Sequence, residues 1–219
     1  TTATLLHQLF RNLGLKAGMI GTVANKVNDK SYEAERTTPD PITLNQFLDM
    51  MVEDGCEYCF MEVSSHAVSL KRISGLVFAG GVFSNLTLDH LDYHETFENY
   101  RDAKKAFFDG LNAHAFSLSN KDDLNGEYML QNTNAKRYFY SLKKEADFTD
   151  RLKTKLIGEF NVYNVLAVYA TAVLLDQDKE NVKELIKSLE PVEGRFNYIK
   201  SKDGVTGIVD YAHTPDALE

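Results

Sequence analysis

Between residues 84 and 94 the chain reads SNLTLDHLDYH, which gathers Asp89, His90, Asp92 and His94 directly behind the apolar run LVFAGGVF. Carboxylates and imidazoles at that density can hold a divalent cation or pass protons. Another acid, Glu62, closes a second apolar run, CEYCFMEV. Further on, Phe97, Tyr100, Ala103, Phe107, Phe108 and Leu111 share one arc of a helix; Lys104 lies inside that arc, whereas Lys105 is expected to point well away. A cation on a buried stripe is costly unless it snorkels, meets an anion or changes its chemistry. An ammonium has donors only and cannot bind Mg²⁺, but reaction with CO₂ would make Lys104 a carbamate, a hard oxygen ligand of the kind Mg²⁺ takes.

These side chains need a scaffold that brings them to one edge. The alternation of apolar runs with helices predicts an α/β fold, a mostly parallel sheet flanked by helices. In such sheets ligands gather beyond the carboxyl ends of the strands, where Glu62 and residues 85–94 fall. The expected elements are a helix over residues 4–13, a strand AGMIGTV, and a helix LNQFLDMMVED capped by Thr43 and stopped at Gly55. Strands CEYCFMEV and LVFAGGVFSNL follow, both nearly continuous in apolar character, as strands covered on two faces tend to be. Next come a helix over 97–111, a strand AFSLSN, and helices NVYNVLAVYATAVLL and VKELIKSL. The stretch ANKVNDKSYEAERTTPDP is too polar for a core element, and the region up to Lys155 looks irregular. Pro191 and Gly194 punctuate the chain before a last strand, VTGIVDYAH.

The 219 residues are 43% hydrophobic and 26% charged with a net charge of −8, the composition of a soluble globular protein. That charge argues against nucleic acid as a partner, since duplex binding needs a basic face. No long uncharged apolar run suggests a membrane span, and residues 1–13 form an amphipathic pattern without the charged leader and cleavage site of a signal peptide. Cys56 and Cys59 make a C-x-x-C within an expected strand, where a spacing of three puts them on opposite faces. With no second pair to complete a zinc site, they are expected to be core thiols in a reducing cytoplasm.

Taken together, TTPDP (37–41), MEVSSHAV (61–68), FSNLTLDHLDYH (83–94), YRDAKKAFF (100–108), GEFNVYNVLA (158–167), EGRF (193–196) and VDYAHTPDALE (209–219) resemble the Mur ligases in order and spacing. Among them the chain is most similar to those that add the third amino acid, diaminopimelate or lysine, to UDP-N-acetylmuramoyl-L-alanyl-D-glutamate in peptidoglycan synthesis. The resemblance implies a P-loop NTPase-like central domain over 1–195 and the start of a C-terminal amino-acid-binding domain over 196–219. The family's N-terminal domain and most of its phosphate loop are not in this chain, so alone it is expected to be inactive. ATP and Mg²⁺ are the implied cofactors, and the cytoplasm the implied location. Glu62, His90 and Lys104 match the metal ligands and catalytic centre, Lys104 being the family's carbamylated lysine.

By the same resemblance Thr37, Thr38, Ser64 and Arg72 hold the muramoyl substrate, while Thr1, Asn85, Asn161, Asn164, Arg195, Asp210, Tyr211 and His213 serve ATP. Leu70 stands where relatives often carry Gln, Arg36 where some carry a polar residue, and Asn197 where an acid often follows the linker motif. Read without the resemblance, Asn161 and Asn164 could cap a helix. Folylpolyglutamate or cyanophycin synthesis, a metal-dependent phosphohydrolase and a non-catalytic scaffold remain as alternatives.

Overall fold

The computed structural model describes residues 1–201, 203–210 and 212. Its first helix, α1 (Thr2–Asn12), buries Leu5, Leu6, Leu9 and Phe10. Strand β1 (Ala17–Ile20) runs parallel to β4 (Tyr58–Met61), with Ala17 opposite Tyr58 and Ile20 opposite Met61. Between them β2 (Ala24–Val27) and β3 (Lys30–Glu33) form an antiparallel hairpin on the far side of β1, giving the sheet order β3-β2-β1-β4. The fold class is therefore α/β as expected, but this sheet is mixed. The stretch expected to be too polar for a core element supplies both hairpin strands. Alternation explains it: Asn25 and Val27 are buried on one face of β2 while their neighbours are not.

Helix α2 (Pro41–Glu53) covers that hairpin, packing Leu44 and Met51 against Ile20 and Val27. Its cap is Asp40 rather than Thr43. The Asp40 carboxylate accepts from the amides of Ile42 and Thr43 and from the Thr43 hydroxyl, and Pro41 occupies a first-turn position where its missing N–H costs nothing. Cys56 lies before β4 begins, so the strand alternation expected to separate it from Cys59 does not apply. Both thiols are free and pack against the same apolar cluster, and burial pushes Cys59 up to about 12.

A second sheet is fully parallel, in the order β5 (Gly80–Phe83), β6 (Phe116–Asn120), β7 (Lys136–Tyr140). Strand β5 is much shorter than the apolar run that predicts it, and Val77 just before it is 84% exposed. Strand β6 is buried at every position, despite Ser117, Ser119 and Asn120. The two serine hydroxyls donate to the carbonyls of Lys136 and Gly126, so these buried groups are satisfied. Strand β7 and the short α6 (Gly126–Met129) fall in the region expected to be irregular. Their buried residues, among them Met129, Leu130 and Tyr140, are spread too thinly to show as a run.

Helix α5 (Phe97–Asp109), capped by Thr96, packs Tyr100 and Phe108 into a cluster with Phe83, Leu86, Met129 and Leu130. Helix α7 (Glu159–Leu174) is buried from Val165 to Ala172, the pattern of a helix covered on all sides. Beside it lies α8 (Lys179–Ile186). Near the end β8 (Asn197–Lys200) and β9 (Thr206–Val209) pair antiparallel.

Gly126 has no room for a side chain, since a Cβ there would sit 1.9 Å from the carbonyl oxygen of Asn120, which is backbone and cannot turn aside. Gly126→Ala is expected to destabilise this chain by about 3 kcal/mol. Urea unfolding should show a lower midpoint with an unchanged slope.

Candidate active site

Two loops and a short helix meet at the carboxyl ends of the two sheets. Glu62 follows β4, its amide bonded to the Ile20 carbonyl. Its Oε2 accepts from the Thr22 hydroxyl at 2.6 Å and the Thr22 amide at 3.2 Å, and its Oε1 lies 3.3 Å from the backbone nitrogen of Thr1. Burial opposes ionisation of Glu62, and the hydroxyl and amide of Thr22, both donating to it, favour the ionised form. Thr38 is 1% exposed; its hydroxyl donates to the Glu62 carbonyl at 2.7 Å and accepts from the Ser64 amide at 3.1 Å. Arg72 donates to the Thr38 carbonyl at 2.9 Å. The TTPDP loop is thus pinned to the end of β4, with Thr37 half-buried beside Thr22 at 3.1 Å. Ser64 caps α3 (Ser65–Ser69) through the Ala67 amide, and Leu70 at its far end is exposed.

The acidic and histidine-rich loop forms α4 (Leu91–His94). His90 enters it in the left-handed region at φ 53°, its amide bonded to Asp89 and its ring 3.5 Å from the same carboxylate. The His66 ring stands 5.0 Å from His90 and 5.5 Å from His94, and His94 reaches Ser65 Oγ at 2.9 Å. Burial, and then the neighbouring imidazoles, lower the pKa of His94; burial, and then His90, lower that of His66. Sequence reasoning gave His66 no role. Its signal was its place inside the EVSSHAV motif, where a helical turn after Ser64 aims it at the His90 loop.

Lys104 is half-buried, with Nζ 5.0 Å above the Tyr100 ring, whose other neighbours include His90 at 5.8 Å. Burial lowers the Lys104 pKa against the opposing pull of Asp89, and burial pushes Tyr100 up to about 12. Lys105, expected to point well away from that apolar arc, is nevertheless buried. It is 5% exposed, because α6 covers that flank of α5, and it donates to both carboxylate oxygens of Asp109 at 2.6 and 2.7 Å.

A cleft on the other side of Glu62 is lined by Thr1, Ile157, Asn161, Val192, Arg195 and Phe196. Neither Asn161 nor Asn164 caps α7, since Gly158 takes that position at φ 98°. Instead Asn161 donates to the Ile157 carbonyl at 2.7 Å, Asn164 donates to Asn161, and the Thr2 hydroxyl donates to Asn164. Asp122 fixes this helix from the other flank, accepting from Ser141 Oγ and the Leu142 amide at 2.8 Å and from the Tyr163 hydroxyl at 3.0 Å. Asp210 ties the linker down by accepting from the amides of Phe196 and Ala212. Asn85 is exposed just beyond β5. Tyr211 and His213 lie outside the described residues.

A family model described as the Mur ligase middle domain matches residues 1–172. The chain belongs to the Mur ligase family. It is 53% identical over 235 residues to the UDP-N-acetylmuramoyl-L-alanyl-D-glutamate–2,6-diaminopimelate ligase of Bacteroides thetaiotaomicron, covering 100% of this chain and 49% of that protein. The ligase of the same name from Geobacillus kaustophilus is 38% identical, again with 100% of this chain covered and 50% of that protein. The chain thus spans about half the length of the curated relatives it matches. A solved structure of a ligase with that name superposes with a TM-score of 0.81 at 26% identity, covering 100% of this chain and 49% of that one. MurF from Acinetobacter baumannii shares the fold at TM-score 0.74 and 15% identity, covering 99% and 49%.

The donor set of this Mur ligase domain suits a hard cation on one condition. Glu62 offers a partly exposed carboxylate whose Oε2 is held by Thr22. His90 presents a ring whose side chain is 42% exposed. Among the described residues no three His, Cys, Asp or Glu side chains converge with metal-binding geometry, so the remaining ligands would be another residue type, water or a substrate oxygen. Lys104 can supply one only after losing its charge. Among the described residues no helix is long and apolar enough to cross a membrane.

Proposed function

We propose that this chain is the ATP-handling centre of a ligase that joins diaminopimelate to UDP-N-acetylmuramoyl-L-alanyl-D-glutamate in cytoplasmic peptidoglycan synthesis. Residues 1–195 form its central domain and 196–219 open the next. The observation that carries this reading is the convergence of Glu62, gripped at the end of β4 by Thr22, with the His90 loop, which His66 meets at 5.0 Å, at the carboxyl ends of the strands.

In this reading Asn161, Asn164, Arg195 and Asp210 position ATP, with Asn85 and Thr1 at its phosphates and Tyr211 and His213 contributing from beyond the described residues. Thr37, Ser64 and Arg72 hold the muramoyl dipeptide, and Thr38 keeps their loop in place. Glu62, His90 and a carbamylated Lys104 would hold Mg²⁺, which when bound supplies neutralisation of the negative charges that must approach one another. Transfer of the γ-phosphoryl group to the D-glutamyl carboxylate gives an acyl phosphate and ADP. The incoming amine then attacks the acyl carbon, phosphate leaves and the amine loses a proton. Catalysis here is mostly placement and electrostatics.

The test is an assay of the full-length protein with the muramoyl dipeptide nucleotide, ATP, Mg²⁺ and either diaminopimelate or lysine. Amine-dependent phosphate release with diaminopimelate is expected. Release that ignores the amine would make the protein a phosphohydrolase, and absence of nucleotide binding would make it a scaffold.

A further inference from the structure

We propose that Thr22 is a positioning residue that fixes both the Glu62 carboxylate and the Thr37 hydroxyl, joining the cation side of the site to the substrate side; this rests on the ligase reading above. Thr22 belongs to none of the motifs that carry the resemblance, and it follows β1 rather than β4 or β5.

Glu62 Oε2 receives the Thr22 amide at 3.2 Å and the Thr22 hydroxyl at 2.6 Å, while Oε1 faces the backbone nitrogen of Thr1. Every partner of this carboxylate is a donor, so it accepts throughout. A threonine hydroxyl has one proton to give. Thr22 spends it on Glu62, so the 3.1 Å contact with Thr37 is made by the Thr37 proton pointing at the Thr22 oxygen. The chain of donation runs Thr37 to Thr22 to Glu62.

This direction has consequences at each end. At Glu62, two donors from one residue grip the same oxygen and leave the carboxylate in a single orientation, with Oε1 turned towards the cleft. At Thr37, the outward lone pairs are all that remain, so the hydroxyl accepts from its ligand. The group it meets on the muramoyl substrate is then an amide N–H or a hydroxyl, not a carboxylate or a phosphate oxygen.

The experiment uses the full-length protein with Mn²⁺ as the probe, its affinity read by electron paramagnetic resonance, and with the muramoyl dipeptide nucleotide titrated separately by calorimetry. Thr22→Val removes the hydroxyl at constant shape and is expected to weaken Mn²⁺ binding by about tenfold or more, the range for loss of a residue that orients a ligand, and to weaken the substrate as well. Thr22→Ser should restore both. Thr37→Val should weaken the substrate alone, because the Thr22 to Glu62 bond survives it. Wild-type Mn²⁺ affinity in Thr22→Val, or an equal loss of Mn²⁺ in Thr37→Val, would overturn the inference. If Thr22→Val unfolds, Thr22→Ala and Thr37→Val carry the same two readings. A parent protein that binds neither Mn²⁺–ATP nor the muramoyl nucleotide would instead sink the ligase reading itself.

Discussion

In the full-length protein, His90→Ala is expected to lower ADP formation by about a thousandfold or more while leaving the fold intact, a loss on the scale of removing one preorganised electrostatic contact. The two halves of this result come from different features. His90 meets its neighbours through ring edges, at 5.0 Å from His66 and 5.8 Å from Tyr100, and its side chain is 42% exposed, so little packing is lost. Its left-handed backbone at φ 53° carries a Cβ either way, and alanine adds no strain that histidine lacks. Surface changes of this sort usually alter stability by less than about 0.5 kcal/mol. What disappears is an imidazole open to solvent and facing Asp89, unlike His94, which is buried against Ser65. Full turnover of the variant at saturating Mg²⁺ would take His90 out of the metal site.

The adjacent lysines should separate chemistry from stability. Lys104→Ala is expected to cut amine-dependent phosphate release by about a thousandfold with melting no lower than the parent's, since it removes a desolvated ammonium that stands over the Tyr100 ring. Lys105→Ala should do the reverse. Breaking its bond to Asp109, a carboxylate whose side chain is 35% exposed, removes a partner from a group that water can still partly solvate. A cost of about 2 kcal/mol, or roughly 4–8 °C in melting temperature, is expected with near-normal turnover in the folded fraction. Differential scanning calorimetry paired with the phosphate assay measures both. A Lys105 variant that is stable but inactive, beside an active Lys104 variant, would exchange the two roles.

The misplacement of Lys105 shows where sequence periodicity ends. A helical wheel places a residue around an axis, but α5 is covered on two flanks, by the sheet and by α6, and only the fold reveals the second cover. The same limit hid β2 and β3, whose burial alternates over only a few residues, and β7, which sits between segments without apolar runs. By contrast α1, α5, α7, α8, β1, β4 and β6 announced themselves through continuous apolar runs or regular spacing over a turn or more. At the site, the motifs carried Glu62, His90 and Lys104 as expectations because their residue types are chemically unusual at strand ends and on an apolar arc. Thr22, His66 and Asp122 were not found. Each acts by where its one polar group points, and a threonine or aspartate after a strand is too common to stand out.

Helix α1 lies in the core with α7 and α8, its Leu5, Leu9 and Phe10 in one cluster with Leu166, Ile186 and Leu189, and Gln8 and Asn12 bonded to Glu190 and Ser188. These partners are made on the ribosome long after α1 itself. Helix α1 therefore emerges with part of its oily face uncovered until translation has passed residue 190, a delay that long-range contacts impose on folding speed. Nascent chains halted before α7 should be protease-sensitive at α1 and attract holdase chaperones.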